Sequence, residues 1–236
     1  MVILPGRRTR FGGNDSYTKL LLHFDGEDEA TSTVDSSSAG HTHEAFAGNA
    51  QLDTAQKKFG ASSLLLDGTL DSISFSDHAD WYFGTGDFTV DGWFRWNALP
   101  GTGVQMALVT QRYDASNYWA LLVEESSGSY IFRMSFVDGG NYKINLAATT
   151  SLSAGEWYHL AFVRGGTSGY IFLSGTPLSV TGTQPGSNDV GDTAQALSIG
   201  YFAGMSSFNG WIDELRISKG IARWTSNFSP PVAPYN

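Results

Sequence analysis

Run after run of this chain alternates its side chains with a period of two, and no long segment carries the period of a helix. The clearest case is Trp211 to Ser218, entered through the turn Asn209-Gly210. Trp211, Asp213, Leu215 and Ile217 are expected on one face, and Ile212, Glu214 and Arg216 on the other. Alternation over about six or more residues belongs to pleated strand, in which successive side chains point to opposite faces. GEWYHLAFVRG (155–165) is aromatic or aliphatic on both faces, as a strand at the centre of a sandwich would be. Further strand candidates are 19–24, 62–66, 71–75, 87–96, 104–111, 117–124, 130–136, 142–148, 170–175 and 196–201. Short helical turns are expected only at His78 to Trp81 and Ile221 to Trp224.

The fold class that follows is all-β: a two-sheet antiparallel sandwich of roughly a dozen or more strands. Its 28 glycines and 14% aromatics suit many short strands joined by tight turns. A chain of 236 residues can bury a sizeable core as one unit without covalent staples. It has no cysteine, which excludes disulfides, thiolate zinc sites and a cysteine nucleophile. Residues 1–16 read as a flexible N-terminal arm carrying Arg7, Arg8 and Arg10, residues 17–224 as the folded body, and residues 225–236 as a Pro-rich, flexible C-terminal tail.

Charge and hydropathy remove some partners. With 14 basic and 23 acidic residues the net charge is −9, and no basic patch stands out beyond the arm. Affinity for a phosphate backbone comes from cations, so nucleic acid is not expected as a partner. No apolar run approaches the roughly 18 residues of a membrane span, so no membrane partner is expected either. The N-terminus places its arginines after the apolar residues, the wrong order for a secretory leader. The expectation is either that a leader has been removed, which would place the protein outside the cell, or that the protein is released without one.

An ordered series of weak motifs runs through the body: LLLHFDG (20–26), DSSSAGH (35–41), KFGASSLLLDG (58–68), FTVDGWFRW (88–96), EWYHLAFVR (156–164), YIFLSGTPL (170–178), LSIGY (197–201) and FNGWIDELRI (208–217). In this order they resemble laminin-G-like domains of the concanavalin A-like lectin/glucanase superfamily. The chain is similar to the versions found in tailed-phage structural proteins and marine bacterial surface proteins. The resemblance implies a jelly roll that holds glycans or proteins, with its first and last strands paired. Ser174 replaces the Asp or Asn that often precedes the glycine of one hairpin. The alternating-carboxylate strand of the superfamily's glycoside hydrolases is missing, so no enzyme activity is expected.

The acids and histidines agree. A glycosidase needs two carboxylates facing across the scissile bond. Asp213 and Glu214 are strand neighbours, as are Glu124 and Glu125, and neighbours are expected on opposite faces. No nucleophile motif accompanies the five histidines, and His159 reads as a sheet histidine with a local hydrogen bond. Calcium is the one cofactor worth weighing, because it takes six to eight oxygens. Asp25 ends the first strand and Asp213 begins the last, so the pairing implied by the resemblance would bring both toward one ion, with carbonyls of Asp35 to Gly40 to complete it. The other reading makes Asp25 and Asp213 turn-capping residues.

For a glycan, aromatic platforms beside polar groups are needed, since sugars offer apolar CH faces and hydroxyls together. Thr89, Asp91, Trp93 and Arg95 share the polar side of their strand, and Tyr118 is expected to join Trp93 and Arg95 on an open sheet face. Trp93 packing under a loop is the alternative. Tyr113, Asp114 and Asn117 on the loop 112–117 form a further candidate, or else an ordinary hairpin connection. The expected function is a non-catalytic virion surface or tail-associated protein with a lectin-like domain. A secreted carbohydrate-binding module or adhesin domain is the competing expectation. Partners would be other virion proteins or a second copy, reached through the arm, and a cell-surface glycan.

Overall fold

The computed structural model describes residues 13–236. Most of the expected arm, including Arg7, Arg8 and Arg10, lies outside the described residues; its described end is not free, because Asp15 pairs with the buried Arg223 at 2.9 Å and the Gly13 carbonyl accepts from Arg216. The first strands are β1 (Thr18–Leu22), β2 (His43–Ala47), β3 (Gln51–Asp53), β4 (Ser63–Asp67) and β5 (Ser72–Phe75). A single 3-10 turn, Ala79–Trp81, comes next, and His78 caps it. Long strands follow: β6 (Phe88–Trp96), β7 (Gln105–Arg112), β8 (Tyr118–Ser126), β9 (Ser129–Asp138), β10 (Asn141–Thr150) and β11 (Trp157–Gly165). The chain closes with β12 (Ser168–Leu173), β13 (Thr176–Pro177), β14 (Val180–Thr183), β15 (Leu197–Ile199) and β16 (Asn209–Lys219). The second expected helical turn, Ile221 to Trp224, is irregular instead. Among the described residues no helix is long and apolar enough to cross a membrane.

These strands form two eight-stranded antiparallel sheets, and the two make a sandwich. The first runs β13-β12-β11-β6-β16-β4-β3, with β1 also on β16. The second runs β14-β10-β9-β8-β7-β15-β5-β2. The expected pairing of the first and last strands holds, with Leu20 opposite Ile217 and Leu22 opposite Leu215. The core faces also hold: Phe88, Val90, Phe94, Trp96, Leu160, Phe162, Leu215 and Ile217 are all buried in one cluster between the sheets.

The last strand departs from simple alternation. Ile212, Leu215 and Ile217 point into the core, so one residue too many separates Ile212 from Leu215. Glu214 has φ +51°, and the pairing with β6 slips between Asp213 and Arg216. This is a β-bulge, which inserts an unpaired residue and re-aims its neighbours. It lies where the far edge of β16 passes from β4 (paired to 209–212) to β1 (paired to 215–218). Asp213 therefore does not share the face of Leu215 and Ile217, as strict alternation required. Nor do Asp213 and Glu214 point to opposite faces, because the bulge turns both away from the core.

The outer face of the first sheet is closed. Residues 225–236 are not a free tail: they fold back across it. Trp224 and Phe228 stack at 3.9 Å and pack with Ala161, Val163 and Phe172. Tyr235 is 4% exposed, and its hydroxyl donates to the buried Asp91 and meets His159 Nε2 at 3.0 Å. Arg216 grips Asp91 through two nitrogens at 3.1 and 3.0 Å, beneath the Tyr235 ring. Burial alone would raise the Asp91 pKa, but Arg216 and His159 hold it well below the usual carboxylate range. A buried ion pair needs this degree of satisfaction to be tolerated. His159 is thus the buried, locally bonded sheet histidine that was expected.

Candidate functional site

The open face belongs to the other sheet. On β8, Trp119, Leu121 and Val123 enter the core, and on β9 Phe132, Met134 and Phe136 do the same. The alternate residues must then face outward. They are Tyr118, Ala120, Leu122 and Glu124 on β8, and Arg133 and Ser135 on β9. Gln105 of β7 and Asn145 of β10 lie in register beside them, opposite Glu124 and Ser135 respectively. The small Ala107 and Ala120, with Leu122 and Phe202, make an apolar floor. Two adjoining hollows, about 320 and 560 Å³, lie over this floor and share Gln105 and Met205.

The groove combines aromatic and polar groups. Tyr118 packs edge-on against Phe202 at 5.3 Å, and Tyr142 lines the same hollow half exposed. Gln105 Nε2 donates to Glu124 Oε2 at 2.8 Å, and Arg133 Nη2 donates to Glu124 Oε1 at 2.5 Å. Ser135 Oγ lies 3.2 Å from Asn145 Oδ1. Burial pushes Glu124 up, but Arg133 and Gln105 outweigh it and its pKa falls below the ordinary value. The hydrogen bond to Glu124 raises Arg133 in turn. Tyr118 is pushed up to about 12, first by burial and then by Tyr142. Arg133 Nε is buried with no partner, a donor whose desolvation the protein itself does not offset.

Such a surface can seat a flat, hydroxyl-rich molecule. Tyrosine rings offer faces to CH groups, while Arg133, Ser135 and Asn145 offer donors and acceptors. General acid catalysis is a poor match, because Glu124 is held ionised by Arg133 and a general acid needs a raised pKa. Glu125 accepts from the Gly128 N–H at 2.6 Å and is buried.

The residues singled out from the sequence are scattered. Tyr118 lies in this groove. Trp93 and Arg95 do not join it, because β6 pairs with β11 and β16 in the first sheet while β8 belongs to the second. Trp93 is buried under the loop before β4: the Lys58 ammonium lies 3.9 Å over its ring and Phe59 meets it edge-on. The open face expected around Trp93 is therefore covered, as its alternative reading had it. Arg95 stacks on Trp211 at 4.9 Å, half-buried. On the loop 112–117, Asp114 accepts from the Ser116 N–H and the Asn117 amide, an ordinary hairpin connection with Tyr113 exposed.

Asp25 and Asp213 approach one loop. Asp213 Oδ2 accepts from the Lys58 and Phe59 N–H groups at 2.7 and 3.0 Å, and Asp25 Oδ1 from that of Ala61 at 2.5 Å. A Cβ on Gly60, at φ +59°, would lie 2.0 Å from Asp25 Oδ1, so only glycine lets the loop come this near. Burial pushes Asp213 up to about 7, and its Oδ1 is buried without a partner. Asp25 also lines a small cleft with Ser36, from the loop expected to supply carbonyls. The bulge turns Glu214 toward His23, whose Nδ1 is 2.7 Å from Oε1.

Sequence reasoning missed Gln105, Arg133, Ser135, Tyr142, Asn145 and Met205, and weighed Glu124 only as a catalytic acid. The signal existed in YIFRMSF (130–136), where Arg133 and Ser135 alternate with the apolar Phe132, Met134 and Phe136.

A laminin-G-type sequence profile, of the concanavalin A-like lectin/glucanases superfamily, matches residues 67–223. No curated protein sequence matches the chain. Among solved structures it is similar to domain 4 of the extracellular arabinanase AbnA from Geobacillus stearothermophilus, a structure in complex with arabinotriose. There the identity is 18% and the TM-score 0.62, covering 87% of this chain and 93% of the other. It is also similar to the botulinum neurotoxin serotype G binding domain, with 11% identity and a TM-score of 0.64 over 87% of this chain and 49% of that one. The binding domain of botulinum neurotoxin DC, in complex with SialylT, gives 12% and 0.60 over 88% and 49%.

Proposed function

The chain belongs to the concanavalin A-like lectin/glucanases superfamily, and from that premise we propose that it is a non-catalytic glycan-binding module whose groove crosses the outer face of β7 to β10. One observation carries this reading. Tyr118 and Tyr142 stand beside Arg133, Ser135 and Asn145 in a single open hollow, and Arg133 Nε is buried there without a partner. A sugar oxygen would bond the guanidinium of Arg133, whose side chain is 30% exposed, while a ring CH face would cover a tyrosine. The structurally similar domains captured with arabinotriose and with SialylT support the ligand class.

The test is a glycan array followed by calorimetric titration of the best oligosaccharide. Arg133→Ala and Tyr118→Ala should each weaken binding at least tenfold, with Trp93→Phe as an unaffected control. Equal affinity in all three variants would refute the groove. No hit on a broad array would refute the glycan.

We further propose that the module is displayed on a virion or cell surface, with residues 1–12 as its attachment segment, since Asp15 is already held to the body by Arg223. Arg7, Arg8 and Arg10, on an otherwise acidic chain, motivate this. Deleting residues 1–12 should leave the melting temperature unchanged and abolish incorporation into particles. Normal incorporation of the truncated protein would contradict it.

A further inference from the structure

Away from the groove, the structure holds a cluster that the glycan reading does not use. We infer that His41, His78 and Asp80 form a binding site for one divalent transition-metal ion of the zinc type. One ligand atom from each, two imidazole nitrogens and a carboxylate oxygen, lies within 4.8 Å of the others. His41 Nε2 is 3.0 Å and His78 Nδ1 is 3.2 Å from the same oxygen, Asp80 Oδ2. Zinc bonds to nitrogen and oxygen are about 2.0–2.1 Å, so neighbouring ligands of a tetrahedral ion lie about 3.3 Å apart. Two of the three pairs are already close to that spacing, and the third lies within 4.8 Å.

The backbone holds these groups in place. His78 is the N-cap of the turn Ala79–Trp81, and its Nδ1 accepts from the Asp80 N–H at 3.1 Å. That bond uses the one lone pair of Nδ1, so a metal bound there would take the place of the Asp80 N–H. Nδ1 also lies 3.2 Å from Asp80 Oδ2, a close approach of two acceptors that a shared cation would relieve. His41 is positioned from the other side. Its N–H donates to Asp35 Oδ2 at 2.8 Å, and Asp35 also accepts from the N–H groups of Leu21 and Ser37 at 2.9 Å. Trp81 packs beside His41 at 4.7 Å, while the Lys219 ammonium nearby is occupied by the Ala79 carbonyl.

The site is reachable. The His78 side chain is 51% exposed, and a hollow of about 310 Å³ opens beside His41 and His78. Three protein ligands leave a fourth position for water or for a donor from another molecule. Bound there, the ion would tie the loop after β1 to the turn before β6.

The test uses untagged, chelator-treated full chain. Titration with Co2+ should develop the visible bands of a four-coordinate ion at one equivalent, and Zn2+ should displace it while millimolar Ca2+ does not. His41→Ala and His78→Ala should each weaken Zn2+ binding at least tenfold by calorimetry. His23→Ala, elsewhere in the fold, should leave it unchanged. Because His78 is more than half exposed, its variant should keep the wild-type circular dichroism and serve as the decisive one. Zn2+ affinity unchanged in His78→Ala, displacement by Ca2+, or a six-coordinate aquo spectrum would overturn the site.

Discussion

Phe94 shows how directly a single side chain reports the fold. It is buried among Trp96, Phe208 and Ile212, and truncation would remove transfer energy and leave a cavity. Phe94→Ala should cost about 3–5 kcal/mol by urea unfolding; a loss below about 1 kcal/mol would mean that the core had been misassigned. The same face was legible in FTVDGWFRW, because period two sorts Phe88, Val90, Phe94 and Trp96 to one side. Glu214 was not legible. A bulge depends on one backbone angle, and nothing in WIDELRI marks which residue takes it. Its consequence is the pair with His23, whose pKa is raised by the Glu214 hydrogen bond against the pull of burial. A raised histidine pKa gives stability that is full below its unfolded value, about 6.5, and is lost as pH rises through the folded value. Measured in chelator, the melting-temperature advantage of the wild type over His23→Gln should be larger at about pH 5.5 than at about pH 8.5. An advantage that grows with pH would contradict the pair.

Two elements decide which faces stay open. Residues 225–236 cover the outer face of the first sheet, closing the polar stripe of β6 that composition alone suggested was free. The partner of a Pro-rich segment is non-local, so no reading of SNFSPPVAPYN could place it. Deleting 225–236 should lower the melting temperature by several degrees. Tyr235→Phe, which strips a donor from buried Asp91, should cost about 1–3 kcal/mol. An unchanged melting temperature after the deletion would make the segment a passenger. The loop 58–61 is the second such element. Asp213 Oδ1 is a buried orphan beside it, and Asp25 bonds the same loop through Oδ1, both of them oxygens of the kind a hard cation takes. We propose calcium there, with Asp25 and Asp213 as its protein ligands. Chelator should lower the melting temperature and calcium restore it, by mass action on the native state. Asp213→Asn should remove the response. No shift in the wild type would leave both acids as anchors of the loop backbone.

At the scale of the whole molecule, sheet membership separates what sequence could and could not tell. The strands of β7 to β10 were each recognisable, yet Tyr118 was grouped with Trp93 and Arg95 because adjacency in the chain suggested adjacency in space. In the sandwich, β6 leaves for the first sheet and the hairpins that follow build the second, so aromatic and polar groups on four successive hairpin strands converge where no single motif announces them. β1 closes against β16, and the Asn14 N–H donates to the Asn236 carbonyl at 2.9 Å, so both ends of the described chain sit on the first sheet. That leaves the outer face of the second sheet as the broad surface available to a ligand. A crystal structure with the tightest-binding oligosaccharide tests this most directly. A sugar ring should lie against Tyr118 or Tyr142, with a hydroxyl within hydrogen-bonding distance of the Arg133 guanidinium. Sugar bound instead at the loop 112–117 or beside Arg95 and Trp211, with the groove empty, would contradict it.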